Sequence, residues 1–222
     1  MNICICSLSD RSWLYELTKP NLEKYCHKWN IDFRFCDEIL DKQRAQSWSK
    51  LLFVKKIINE GKYDWVIWID DDILITDFNK NIIDFIDAER DENIILQYDS
   101  NIKSEDNKLI KDEINCGFIF FKCNNKTIEI IEFVYMLGDW SPHRTLCNWE
   151  QEMFIHYHNM CIDAGGNAPY KILPYRTIQA FNRGSGEGYE WCVGNFSSHF
   201  TGIDKESRIR LIQDVNNIIN VI

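Results

Sequence analysis

Five apolar residues, Trp65-Val66-Ile67-Trp68-Ile69, run directly into three consecutive carboxylates, Asp70, Asp71 and Asp72. A run of that length, rich in Val, Ile and Trp, reads as a strand buried on both faces. The three charges therefore arrive where unpaired charge costs several kcal/mol or more, and a cation is the usual relief. Adjacent side chains of an extended chain point to opposite faces, so Asp70 and Asp72 share one face and Asp71 points away. Two carboxylates on one face at the end of a parallel strand make a half-site for a hard divalent metal. A turn with an N-cap cluster would use the same residue types, and this window alone leaves both readings open.

The elements that must position these charges follow from periodicity. Strands are expected at residues 2–7, 31–36, 63–69, 93–98, 115–122, 171–173 and 197–200, and amphipathic helices at 48–58, 127–137, 149–160 and 204–219. A short helix is expected at 82–86, and residues 14–29 form a helical pattern that Pro20 should break. Ser7-Leu8-Ser9-Asp10 forms a polar turn at the end of the first strand. Residues 100–113 are polar and charged, and 183–188 are Gly-rich, a loop that could cover an acceptor. Early strands alternate with helices, which predicts an α/β fold with a central, mostly parallel sheet. The expected organisation is one domain over residues 1–222, with a nucleotide-binding half to about residue 100 and an acceptor-binding half with a closing helix after it. Ligands of open α/β sheets bind beyond the carboxyl ends of the strands, where Ser7, Ser9, Asp10 and the Asp cluster all lie.

Bulk properties narrow the function. The 222 residues carry a net charge of −9 and no basic run, which argues against nucleic acid or an anionic membrane surface as partner. The nine cysteines include no CxxC pair, so neither a disulfide framework nor a zinc site is expected. Met1-Asn2-Ile3-Cys4-Ile5-Cys6 has no basic leader, and no run approaches the roughly 20 apolar residues of a membrane span. A soluble, cytoplasmic protein is the expectation. The eight Trp exceed ordinary use and suit either packing or sugar stacking.

Several short motifs then occur in a telling order: Trp48-Ser49-Lys50, the run ending in Asp70-Asp71-Asp72, Asn115-Cys116-Gly117-Phe118, Trp149-Glu150-Gln151, Phe181-Asn182, and Gly194-Asn195-Phe196-Ser197-Ser198-His199-Phe200-Thr201-Gly202. This order resembles glycosyltransferase family 34, the galactosyltransferase, xylosyltransferase and mannosyltransferase family, and the compact glycosyltransferases of large DNA viruses. The resemblance spans residues 1–205. It implies a GT-A fold, a UDP-sugar donor, a glycan or glycoprotein acceptor, Mn2+ (with Mg2+ as the alternative) and retention of anomeric configuration.

Carried over by position, Asp70 and Asp72 match the carboxylates of the DxD motif, and His199 of His-Phe-x-Gly matches the third metal ligand. Lys50 matches a lysine expected near the donor phosphates or sugar, with a solvated helix residue as the alternative. Gly202 belongs to the same motif as His199, and Lys205 lies one position from a phosphate-binding lysine. Gln151 matches the glutamine beside the anomeric carbon, and Glu150 its acidic neighbour. Trp149 stands where the family often has a further acid. Asn115 and Gly117 match the strand-end Asn-x-Gly, where bare backbone can approach the sugar and Asn can bond its hydroxyls. Asp71 is assigned to the turn or the ribose, and Ser7, Ser9 and Asp10 to the uridine.

The reaction so implied is metal-assisted transfer of a hexose to a hydroxyl. Gln151 is a poor nucleophile but can stabilise positive charge through its carbonyl oxygen, which favours attack from the leaving-group face. A GDP-sugar donor or an inverting outcome is the nearest alternative. A nucleotidyltransferase would need a third carboxylate and a basic triphosphate site, and neither is evident. A carbohydrate-binding protein without catalysis would not need the Asp cluster.

Overall fold

A computed structural model describes residues 1–87, 92–99, 108–110, 113–140, 150–182 and 190–220. The central sheet has the order β2 (Asp32–Cys36), β1 (Ile3–Leu8), β3 (Trp65–Ile69), β6 (Ile114–Lys122), β5 (Ile94–Tyr98), β7 (Lys171–Leu173). Five strands run one way and β6 alone runs against them. That reversal matters for the site. Antiparallel pairing of Ile69 with Phe118 brings the start of β6 beside the end of β3, so Asn115, Cys116 and Gly117 adjoin the Asp cluster. The amide of Asp70 donates to Gly117 O at 2.7 Å, which extends the ladder by one bond.

Helices α2 (Ser49–Ile58), α4 (Asn125–Trp140) and α5 (Glu150–Asp163) cover one face, with Leu51, Val54, Ile131, Val134 and Phe154 packed on Val66, Trp68, Ile119 and Phe121. The other face carries α1 (Ser12–Trp29), α3 (Ile83–Asp87) and a small second sheet. Strand burial on both faces explains the near-continuous apolar runs. α6 (Lys205–Ile219) closes over α1 through Ile212 and Val215, and Asp204 caps its first turn by accepting from Ser207 N.

α1 runs unbroken through Pro20. The expected interruption is overridden by tertiary contacts on both sides of it: Thr18 Oγ1 donates to Asp71 O at 2.7 Å, and the Asn21 amide pairs with both backbone groups of Ile75. The helix ends at Asn30, in the left-handed conformation.

The second sheet, β4 (Ile73–Ile75), β9 (Ser197–His199) and β8 (Ala180–Phe181), was not anticipated beyond β9. Ile73 pairs with His199, and Phe200 N donates to Asp72 O at 2.9 Å, so this sheet fastens a late segment of the chain against the Asp cluster. Among the described residues no helix is long and apolar enough to cross a membrane, and the described cysteines are free thiols. The Gly-rich stretch 183–188, Trp149 and most of the polar segment from residue 100 lie outside the described residues.

Candidate active site

The backbone leaves β3 at Ile69 and turns, with Ile73 N donating to Asp70 O at 3.2 Å. One ligand atom from each of Asp70, Asp72 and His199 lies within 4.8 Å of the others. Asp71 points the opposite way, as strand alternation had suggested, although a turn produces the arrangement. Its carboxylate receives Ser9 Oγ and is gripped by both ends of the Arg11 fork, at 2.5 and 3.2 Å. Burial and the charge of Asp72 push Asp71 up to about 6, against the pull of Arg11.

Asp72 is held between two side chains of the second half: His199 Nε2 at 3.1 Å and the Arg208 guanidinium at 3.7 Å. Burial would raise its pKa, but His199 and then Arg208 and Arg11 overcome that and bring it down to about 2. Arg208 is itself fixed by hydrogen bonds to the carbonyls of Phe200 and Ile203.

Asp70 is oriented from the other side. Its Oδ1 accepts from Trp68 Nε1 at 2.6 Å and from Lys50 Nζ at 3.1 Å. Lys50, 3% exposed on α2, also reaches Glu150 at 2.6 Å and Cys116 O at 2.8 Å. Its three N–H donors are thus used within the protein. Burial works against the Lys50 charge, but Asp70 and Glu150 hold its pKa above the ordinary value. Gln151 begins α5 with Glu150, and its Oε1 accepts from Cys116 N at 3.1 Å, with one lone pair left over.

Asn115 Oδ1 accepts from Gly117 N at 2.8 Å and from Gln179 Nε2 at 3.0 Å. The His199 ring lies directly on Gly117, so a side chain there would collide with it. Ser7 is buried at the end of β1 and Asp10 is exposed beside it. Gly202 has a positive φ of 73° in the turn after His199. Lys205 does not reach the carboxylates: its Nζ sits 4.9 Å over the Trp13 ring.

A family model of galactosyl transferases, GMA12/MNN10, matches residues 5–210 of this chain. The chain belongs to the galactosyl transferase GMA12/MNN10 family. It is a glycosyltransferase. Among solved structures this family member is similar to a glycosyltransferase involved in the glycosylation of the major capsid of the virus PBCV-1, with a TM-score of 0.74 at 18% identity over 96% of this chain and 100% of that one. It is also similar to the galactosyltransferase LgtC in complex with donor and acceptor sugar analogs, with a TM-score of 0.56 at 10% identity over 100% and 96% of the two chains. The glycosyltransferase GlyE of Streptococcus pneumoniae TIGR4 gives a TM-score of 0.60 at 12% identity, over 99% of this chain and 63% of that one. These likenesses establish the GT-A fold. No curated protein sequence matches the chain.

The donor set of this GMA12/MNN10 member fits a divalent metal. Among the described residues, four carboxylates, of Asp70, Asp71, Asp72 and Glu150, meet three basic side chains, of Lys50, Arg11 and Arg208. Two carboxylates and an imidazole suit an ion that accepts both oxygen and nitrogen. His199 Nδ1 is buried without a hydrogen-bond partner among the described residues. The ring's other nitrogen, Nε2, meets Asp72 at 3.1 Å, and the bare backbone of Gly117 leaves room for the ring face.

Sequence reasoning missed Arg11, Arg208, Gln97 and Gln179. Arg11 lies one residue past the polar turn it serves. Gln97 carried a visible signal, a lone amide inside the apolar run Ile94-Ile95-Leu96-Gln97-Tyr98. Arg208 and Gln179 carried none, because only the second sheet brings them to the site.

Proposed function

We propose that this glycosyltransferase moves a hexose from a UDP-sugar to a hydroxyl of a glycan or glycoprotein, with a divalent metal and with retention of configuration. The observation that carries the reading is the convergence of Asp70, Asp72 and His199 at the joint of β3, β6 and β9. Mn2+ suits the mixed oxygen and nitrogen set better than Mg2+, which prefers oxygen alone. Bound there, the ion would neutralise charge that grows on the leaving diphosphate.

The protein groups divide the remaining work. Lys50 and Trp68 hold Asp70 in one orientation, and Arg208 with His199 holds Asp72, so the ligands need little rearrangement. Arg11 and Ser9 stabilise the Asp71 side of the turn, beside the polar end of β1 where the uridine would lie. Gln151, its oxygen aimed by Cys116 N, is the group beside the anomeric carbon, where its second lone pair would face positive charge in an oxocarbenium-like transition state. With an amide rather than a carboxylate in that place, attack comes from the face of the leaving group, and the leaving phosphate oxygen takes the acceptor proton. The UDP assignment follows the galactosyl transferases of the family. Calorimetry with UDP, GDP and CMP in Mn2+ tests it: UDP should bind tightest, and equal or tighter binding of GDP would replace it with a GDP-sugar.

A further inference from the structure

We propose that Gln179, locked by Gln97, is a positioning residue that fixes which end of the Asn115 amide meets the donor sugar, and so sets sugar choice. The proposal rests on the donor reading above.

Gln97 lies in β5 and is fully buried, and its side chain bonds the backbone of residues 178 and 179 much as a neighbouring strand would. Its Oε1 accepts from Ile178 N at 2.6 Å and Gln179 N at 3.0 Å, and its Nε2 donates to Gln179 O at 2.8 Å. All three bonds hold the backbone of residues 178 and 179. The Gln179 side chain, 1% exposed, then has one direction open, and its Nε2 donates to Asn115 Oδ1.

Asn115 Oδ1 already accepts from Gly117 N. Two donors converge on that oxygen, so an amide nitrogen cannot take its place. Nδ2 is therefore the end of Asn115 left for a ligand, and it can only donate. A sugar hydroxyl facing it must act as an acceptor there, which discriminates between epimers that do and do not place an oxygen at that point.

Packing does not account for Gln179. Its Oε1 is buried with no hydrogen-bond partner among the described residues, a costly choice where an aliphatic side chain of similar size would fill the space. The return on that cost is the orientation of Asn115.

The test compares wild type with Gln179→Leu, Gln179→Glu and Asn115→Asp. Each is assayed for hydrolysis of several UDP-hexoses differing at one hydroxyl, for UDP affinity in Mn2+ by calorimetry, and for melting temperature. Gln179→Leu removes the second donor, and Gln179→Glu replaces it with a carboxylate that repels Asn115 Oδ1 and sets it against the remaining Gly117 N bond. In Gln179→Glu the preference of wild type among UDP-hexoses should fall about tenfold, the scale of one lost hydrogen bond in recognition, and in Gln179→Leu, where Gly117 N still holds Oδ1, it should fall by about threefold, while UDP affinity stays within about twofold in each. Asn115→Asp should lose the same preference with Gln179 intact, and adding Gln179→Leu to it should cost nothing more. Preference unchanged in Gln179→Leu and Gln179→Glu overturns the proposal, as does a parallel fall in UDP affinity, which marks a merely structural role. If Gln179→Leu does not fold, Gln179→Glu and Asn115→Asp decide. Wild type inactive on every UDP-hexose overturns the donor reading itself, and this proposal with it.

Discussion

Gly117 and His199 touch: a Cβ on Gly117 would lie 2.6 Å from His199 Cε1 and 3.1 Å from Nδ1. The two residues are far apart in the chain and meet because β6 runs against β3 while β9 pairs with β4. Gly117→Ala must displace the ring of a metal ligand. Groups that orient such ligands typically matter by about 10–100-fold in metal affinity, so metal-dependent UDP binding should weaken by about that factor. Calorimetry with Mn2+ and UDP measures it. Binding at wild-type strength would mean that His199 is not needed.

Asp71 and Asp72 separate cleanly. Asp72 faces His199 and Arg208, whereas Asp71 faces Arg11 and Ser9. Asp72→Asn should abolish metal-dependent UDP binding. Asp71→Asn should keep it within about fivefold, because Arg11 is about a third exposed and such an ion pair contributes about 1 kcal/mol or less. Equal losses in both variants would contradict the division.

Lys50 neutralises Glu150 and Asp70 from a buried position. Lys50→Met leaves two carboxylates without their counter-ion, and breaking a buried pair costs about 3–5 kcal/mol. Adding Glu150→Leu removes one of those orphaned charges and should recover much of the stability without restoring turnover. Denaturant titration of the single and double variants reads the first effect, and UDP-sugar hydrolysis the second.

Away from the site, Gly138 in α4 lies under the Trp48 ring, and a Cβ there would come within 2.3 Å of it. Trp48 is 2% exposed and cannot swing out. Gly138→Ala should destabilise by about 1–3 kcal/mol through overpacking, with roughly 2–4 °C of melting temperature lost per kcal/mol. Activity below the transition should survive.

The sequence was most legible where pattern and chemistry coincided. The apolar run into Asp70-Asp71-Asp72 announced both a buried strand and a charged end, and the period of two already separated Asp71 from its neighbours. The chain order of the motifs was enough to place His199 with them. The Pro20 break was misread because local propensity cannot register that Thr18 and Asn21 are bonded to the Asp71 and Ile75 backbone. β4 and β8, at three and two residues, are too short to show a period. The surroundings of Lys50 were equally hidden. A lysine two residues after a tryptophan looks the same in sequence whether it reaches a phosphate or, as here, a ring of protein oxygens.

Release of UDP from a UDP-hexose, measured with Mn2+ and again after a chelator, bears most directly on the assignment of Asp70, Asp72 and His199 as a metal site for glycosyl transfer. Turnover that depends on the ion, stops with the chelator and returns when Mn2+ is restored is expected. Turnover that continues undiminished in the chelator would contradict it.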